Sequence, residues 1–373
     1  MIDILNYILW YPSPEIFPNS GINVRWYGLL FASGFIIGQY IINKIYLTEG
    51  KTEKDAERLT IYVLVSTVIG ARLGHVLFYE PDKYLANPID ILKIWEGGLA
   101  SHGAAIAIIF GIWLYSKYNV RLGKIGIRLE KHHRKDLSFL WVIDRVVICV
   151  ALGGALIRTG NFVNSEIIGK PTHTDSGVVF ARDAVEAFEY GNKSIEKISF
   201  ERQKVSSGEN VENGVPMTLE IVFKKGIIDE SSIKAYALGP LSNYLKNSKY
   251  VTEHVYIPKD STLNFKLSTQ RNITTLTADV IGIPRYPAQL FEALSCIVMF
   301  IILLAIWIKK KQDTPRGLLL GIFLIIIFGL RFVYEFYKEN QVDFEADIPL
   351  NMGQWLSIPL VIAGLIFIFR AKK

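Results

Sequence analysis

Arg158-Thr-Gly-Asn-Phe-Val-Asn-Ser-Glu166 follows an apolar run, about residues 138–157, of the length needed to cross a bilayer. Within nine residues it carries a cation, two amides, hydroxyls and an acid. An arginine at the centre of a membrane helix costs about 2.5–3.5 kcal/mol on insertion scales, and less near an interface. Such a cluster implies a partner inside the protein or work on a charged ligand. The reading taken here is that Arg158 holds a lipid phosphate.

Outward from that stretch, the apolar residues fall in runs. Half of the 373 residues are hydrophobic and mean hydropathy is positive. Seven spans are expected, at about 24–46, 59–79, 98–115, 138–157, 288–308, 317–337 and 352–370. The fold class is therefore an all-α polytopic membrane protein with seven transmembrane helices and a small extracytoplasmic β-rich insertion. The formal charge of +6 could suggest nucleic acid. The basic residues lie instead in short loops between apolar runs, so no nucleic-acid partner is expected.

Those loops set an orientation. Lys44, Lys51, Lys54 and Arg58 follow the first span, and a dense set from Lys117 to Lys135 follows the third. Lys309, Lys310, Lys311 and Arg316 follow the fifth, and Arg370, Lys372 and Lys373 close the chain. The intervening loops are poor in Lys and Arg: Lys338 alone is basic after the sixth span, where Asp343, Glu345 and Asp347 dominate. The positive-inside rule then puts the N-terminus outside and the C-terminus in the cytoplasm of a multi-pass protein.

Four regions follow. Residues 1–23 lack the basic start of a signal peptide and read as an interfacial N-terminal segment. Residues 24–171 hold the first four spans and the 158–166 stretch. Residues 172–283 form the extracytoplasmic insertion, with strand-like pieces at Met217–Phe223 and Tyr250–Ile257 and loop signals at Ser206–Gly208 and Glu212–Gly214. Residues 284–373 hold the last three spans. The connection from Tyr79 to Gly97 reads as a surface helix.

The polar residues inside spans can be sorted by depth. Tyr27, Arg72, His75, His102, Arg158, Asn161, Gln289, Glu292, Arg331, Glu335 and Gln354 all fall in the outer-leaflet half. Groups from separate spans at one height can line a single cavity open to that leaflet. Several have structural readings beside functional ones. Arg331 and Glu335 are one turn apart and suit an ion pair. Arg72 suits pairing with Glu80 or snorkelling to a head group. Asp144 and Arg145 suit capping or an ion pair, and Tyr27 with Trp26 an aromatic belt. Gly97-Gly98 and Gly153-Gly154 suit close packing or a bend. His102, in a Ser-His-Gly at a span start, is read as chemical. The cysteines, Cys149 and Cys296, both lie inside spans and read as buried apolar residues. No His-x-x-x-His or paired-carboxylate motif lies in a span, and His132-His133 sits in a basic loop. Neither metal nor cofactor is expected.

At these residues the chain resembles the prolipoprotein diacylglyceryl transferases, bacterial plasma (inner) membrane enzymes of lipoprotein maturation. Val24-Arg-Trp-Tyr-Gly28, Gly70-Ala-Arg-Leu-Gly74 and Trp95-Glu-Gly-Gly-Leu-Ala-Ser-His-Gly103 are similar to the family's first three motifs. Arg158 to Glu166 is similar to its signature Gly-Arg-Ile-Gly-Asn-Phe-Ile-Asn-Gly-Glu. Pro287-Ala-Gln-Leu-Phe-Glu292, Arg331-Phe-Val-Tyr-Glu335 and Met352-Gly-Gln-Trp-Leu-Ser357 are similar to its closing motifs. Any one of these is weak, and the resemblance rests on seven in order, over about 22–171 and 284–370. There are departures. Ile157, Thr159 and Ser165 stand where the signature has Gly, Ile and Gly; Tyr286 stands where His is frequent, and Ile327 where relatives carry a tyrosine.

The resemblance implies transfer of the diacylglyceryl group of phosphatidylglycerol to the thiol of a prolipoprotein's lipobox cysteine, with glycerol 1-phosphate leaving. His102, Arg158 and Arg331 would then be catalytic, with Arg158 and Arg331 on the phosphate and His102 as base. Tyr27, Arg72, Asn161, Glu166, Gln289, Glu292 and Glu335 would bind substrate. The partners implied are phosphatidylglycerol, the lipobox segment and membrane lipids. From the residues alone, a transporter or a receptor for an anionic lipid or solute stays open.

Overall fold

The computed structural model describes residues 7–18, 20–21, 24–94, 97–123, 126–131, 137–203, 214–226, 229–338 and 349–371. Residues 1–6, Trp95-Glu96, His132-His133, the loop signals at 206–208 and 212–213, and Asp343, Glu345 and Asp347 lie outside the described residues. In chain order the α-helices among the described residues are α1 (Trp26–Thr48), α2 (Glu53–Phe78), α3 (Pro81–Ala86), α4 (Ser101–Lys117), α5 (Phe139–Val163), α6 (Arg182–Gly191), α7 (Glu230–Tyr236), α8 (Ser242–Asn247), α9 (Lys249–Thr252), α10 (Ala288–Lys310), α11 (Leu318–Tyr334) and α12 (Met352–Ala371). The strands are β1 (Tyr7–Trp10), β2 (Tyr118–Gly123), β3 (Gly126–Lys131), β4 (Gly177–Phe180), β5 (Ile195–Arg202), β6 (Val215–Phe223), β7 (Val255–Tyr256), β8 (Phe265–Gln270) and β9 (Ile273–Gly282).

Among the described residues six helices are long and apolar enough to cross a membrane: α1, α2, α5, α10 continued to Asp313, α11 continued to Tyr337, and α12. Apolar runs of this length become helices because only a helix satisfies every backbone N–H and C=O within one segment. The remaining expected span, the third at 98–115, is α4, a helix of 17 residues, about 25 Å long at 1.5 Å per residue. Two expectations change. The fourth span was expected to end at 157, but α5 runs on to Val163 and carries the first six of the nine signature residues as helix. Arg158 and Asn161 do not break a helix; the stop comes from the turn after Val163. The expected surface helix after α2 is a short α3 followed by a 3-10 turn, Pro88–Leu92, because Pro88 cannot extend the first and suits the start of the second.

The chain divides into two compact units. The second comprises Leu29–Ile157, Ala293–Val333 and Ile348–Lys373. Its core runs from Ile42, Ile45 and Tyr46 through Trp141 and Val142 to Met299, Leu303 and Leu319. In it α2 and α4 touch backbone to backbone: a Cβ on Gly74 would sit 2.8 Å from Gly103 Cα, and one on Gly70 2.5 Å from Gly103 O. Glycines four apart are what allow that approach. Asp144 accepts from the backbone N–H of Gly317 (2.6 Å) and Leu320 (2.8 Å), which caps the N-terminus of α11. Arg145 pairs with Glu49 at 2.9 Å, and both are fully buried. Trp141 and Trp307 indoles donate to the same carboxylate at 3.0 and 2.6 Å. Capping and ion pairing are thus the roles of Asp144 and Arg145. A hairpin of β2 and β3 fills part of the basic loop after α4.

The first unit comprises Met1–Gly28, Arg158–Glu292 and Tyr334–Asp347. Its sheet runs β5-β6-β9-β7, with β8 also on β9. In β6, Val215, Met217, Leu219, Ile221 and Phe223 are buried in strict alternation, the period of a strand with one face on a core. Helix α6 adds Ala184, Val185 and Phe188 to that core. The insertion is thus a mixed helix and sheet unit, and the Met217–Phe223 piece is strand. The 250–257 piece is not: it is α9, then the two residues of β7. The buried residues explain this, since Val251 and Val255 lie four apart and Val255 and Ile257 two apart. The part of the N-terminal segment that is described, Tyr7–Trp10, pairs in parallel with Gly177–Phe180.

Candidate active site

In the first unit the signature stretch ends a helix in a defined way. The N–H of Glu166 donates to Asn161 O at 2.9 Å and that of Ser165 to Phe162 O at 3.1 Å. Ser165 has φ +59°. This pair of bonds with a left-handed residue is a Schellman stop, at the position where glycine costs least. The turn brings the Glu166 side chain back over the last turn of α5. Asn161 Nδ2 donates to Glu166 Oε2 at 3.0 Å, and Asn164 Nδ2 to Oε1 at 3.2 Å.

Arg158, one turn before Asn161, donates from Nη1 to Asn161 Oδ1 at 3.3 Å. Its Nε lies 2.5 Å from Glu292 Oε2, and 27% of its side chain stays exposed. Glu292 and Gln289 come from the first turns of α10. Gln289 Nε2 donates to Glu166 O at 2.6 Å, while its Oε1 is buried with no partner. Glu292 Oε1 pairs with the Lys338 ammonium, which lies 4.0 Å from Glu335 Oε1. Lys338 is itself placed by the segment after the signature, through a bridge to Gly169 and a hydrogen bond from Lys170 N to Tyr337 O at 2.8 Å. Tyr27 lies against Gly160: a Cβ there would sit 2.9 Å from the tyrosine Cδ2. Trp10 donates to Phe162 O at 2.9 Å and lies against the Phe162 ring.

Seven expected site residues, Tyr27, Arg158, Asn161, Glu166, Gln289, Glu292 and Glu335, therefore fall in one compact unit. Five of them, Arg158, Asn161, Glu166, Gln289 and Glu292, form one hydrogen-bonded chain. A guanidinium held at one corner by a carboxylate, with an amide beside it and part of its surface open, can bind an oxyanion. Lys338 was missed as a site residue. Its signal was its isolation: a single cation in a loop otherwise acidic. Ser165, whose hydroxyl is buried without a partner, was noticed only as a departure from glycine.

His102, Arg72 and Arg331 belong to the second unit. His102 is exposed at the start of α4, with its ring 5.4 Å from Phe78 and 5.8 Å from Tyr79. Arg331 is exposed in the last turn of α11. Arg72 does not pair with Glu80. It is buried and donates to the carbonyls of Asp90 (2.5 Å), Ile91 (2.8 Å), Gly97 (2.6 Å) and Gly98 (3.3 Å). Gly98 has φ +71°, and a Cβ there would sit 2.9 Å from Arg72 Nη1, so the close approach needs glycine. Glu80 instead pairs with Lys83 (2.9 Å) and His75 (3.3 Å), which hold its carboxyl below the usual range. Gln354 accepts from Asn351 N at 3.0 Å at the start of α12. Among the described residues no group of three or more His, Cys, Asp or Glu is placed to hold a metal ion.

The family model of prolipoprotein diacylglyceryl transferase matches residues 14–370. Phosphatidylglycerol--prolipoprotein diacylglyceryl transferase of Chloroherpeton thalassium is 33% identical over 373 residues, covering 100% of this chain and 97% of the relative. The enzyme of that name from Tolumonas auensis is 32% identical, covering 98% of each. That of Porphyromonas gingivalis is 33% identical, covering 98% of this chain and 95% of the relative. With the motifs in order and the match running nearly end to end, the chain belongs to the prolipoprotein diacylglyceryl transferase family.

Proposed function

We propose that this protein moves the diacylglyceryl group of phosphatidylglycerol onto the cysteine thiol of a prolipoprotein's lipobox. The sulfur bonds to the glycerol carbon that carried the phosphate, that C–O bond breaks, and glycerol 1-phosphate leaves with the electron pair. The thiol proton goes to a base. The observation that carries the reading is the Arg158 guanidinium, fixed by Glu292 and Asn161 yet 27% exposed at the end of a membrane-length helix.

Charge grows on the leaving phosphate, so permanently charged donors there lower the barrier. Arg158 supplies one and Arg331 a second. Asn161 and Glu292 hold Arg158, Asn161, Glu166, Gln289, Glu292 and Glu335 accept from head-group hydroxyls, and Tyr27 limits where the head group rests. Arg72 acts through the loop that its four carbonyl contacts hold. A cysteine thiol has a pKa of about 8.5, so little is ionised at neutral pH and a base helps. His102 is that base.

The protein sits in a bacterial plasma membrane, with the N-terminus and residues 158–287 outside and the C-terminus in the cytoplasm. Helix α4 completes the seven spans, since 17 residues are enough for a crossing at the short end of the range. The test is transfer in detergent from phosphatidylglycerol to a lipobox peptide, read by mass. An unmodified peptide after long incubation with purified protein would end the proposal.

A further inference from the structure

Glu292 serves two cations. One oxygen meets Arg158 Nε at 2.5 Å and the other meets the Lys338 ammonium. A carboxylate facing an arginine alone tends to take the fork with both oxygens, through two parallel N–H bonds. A guanidinium closed in that way has its best edge occupied. Here the second oxygen is taken, so Glu292 holds Arg158 by one corner only. The side chains of Lys338 and Glu292 are 6% and 10% exposed, so the competition is little screened by water.

We propose that Lys338 is a positioning residue for the transfer: by occupying one oxygen of Glu292 it keeps the Arg158 guanidinium singly paired and open to the phosphate of the lipid substrate. This rests on the reading of Arg158 as the phosphate donor. The lysine acts through Glu292 and does not itself touch the lipid.

The experiment uses the full-length protein in detergent, with Lys338→Met, Lys338→Arg, Glu292→Gln and the Lys338→Met/Glu292→Gln double variant. Initial rates are measured against phosphatidylglycerol at fixed peptide, and against peptide at fixed lipid. Lys338→Met should raise the KM for phosphatidylglycerol about tenfold or more, the weight of one charge-assisted hydrogen bond, and leave that for peptide unchanged. Lys338→Arg should keep the lipid KM close to that of the wild type. Adding Glu292→Gln to Lys338→Met should bring the lipid KM back down, because a neutral amide does not clamp the guanidinium. A lipid KM unmoved by Lys338→Met, or a double variant worse than both singles, overturns the proposal. If Lys338→Met does not accumulate, Lys338→Gln takes its place with the same readings. Wild-type transfer is the control. Its absence counts against the proposed function, whereas its presence with an unmoved lipid KM counts against Lys338.

Discussion

Asn161 and Glu166 are tied twice: the Glu166 N–H donates to the Asn161 carbonyl at 2.9 Å, and the Asn161 amide donates back to the Glu166 carboxylate at 3.0 Å. The amide oxygen meanwhile accepts from Arg158 at 3.3 Å. One side chain thus joins an anion to a cation, which only a group with both a donor and an acceptor can do. Asn161→Asp keeps the acceptor and loses the donor, and sets a second carboxylate against Glu166. Transfer should fall by about 10²-fold, the scale of losing one preorganised polar contact at a reacting centre. Asn161→Leu should fall at least as far. A near-normal rate for the aspartate variant would show that the donor is not needed.

Arg158 meets Glu292 through Nε and Asn161 through Nη1. An ammonium at the end of a lysine cannot span both and still face a phosphate. Arg158→Lys should lower kcat by about 10²–10³-fold, and Arg158→Ala by more. Turnover close to wild type in both would remove Arg158 from the site.

His102 is exposed beside Phe78 and Tyr79. If it takes the thiol proton, His102→Gln should cost about 10²–10⁴ in rate. Much of that loss should return when the assay pH is raised towards the thiol pKa, because the substrate then ionises without help. A rate equal to wild type at neutral pH would exclude the role.

The spans were legible because length and hydropathy decide them, and neither depends on distant contacts. Six of the seven expected ranges coincide with helices long and apolar enough to cross a membrane. The signature was legible as a site but not as a helix end, since its stop is a backbone pattern that any residue at 165 could hide. Arg72 was misread in part. Its four acceptors are the backbone carbonyls of Asp90, Ile91, Gly97 and Gly98, and a backbone acceptor leaves no mark in a sequence. Glu49 and Lys338 escaped for a related reason. Neither charge shows its partner in the sequence, because the fold brings Arg145 or Glu292 from more than 40 residues away.

Glu49 gives the clearest stability prediction. Its carboxylate is buried with Arg145, Trp141 and Trp307 all donating to it. Removing one partner of a buried pair leaves the other charge uncompensated, at a cost of about 3–5 kcal/mol. Glu49→Gln should lower the thermal midpoint in detergent sharply. Lys249→Gln, at an exposed pair 3.9 Å from Glu253, should leave it within error. Equal effects from the two would mean that the buried cluster does not hold the second unit together.

At Ser165 this chain departs from the family's glycine while the backbone keeps the left-handed turn that suits glycine. Its φ of +59° is left-handed, and its hydroxyl is buried without a partner. A side chain in that conformation costs about 1–2 kcal/mol relative to glycine, offset in part because glycine gains more freedom in the unfolded chain. A buried hydroxyl with no acceptor adds to the cost. Ser165→Gly should therefore raise the stability of the first unit by about 1 kcal/mol, seen as a higher thermal midpoint. Activity separates two reasons for keeping a serine. If the hydroxyl has no task, the lipid KM stays where it was. If it bonds the head group, that KM rises while the midpoint still rises. A lower midpoint would refute the strain argument, because removing Cβ from a left-handed helix stop should not destabilise it.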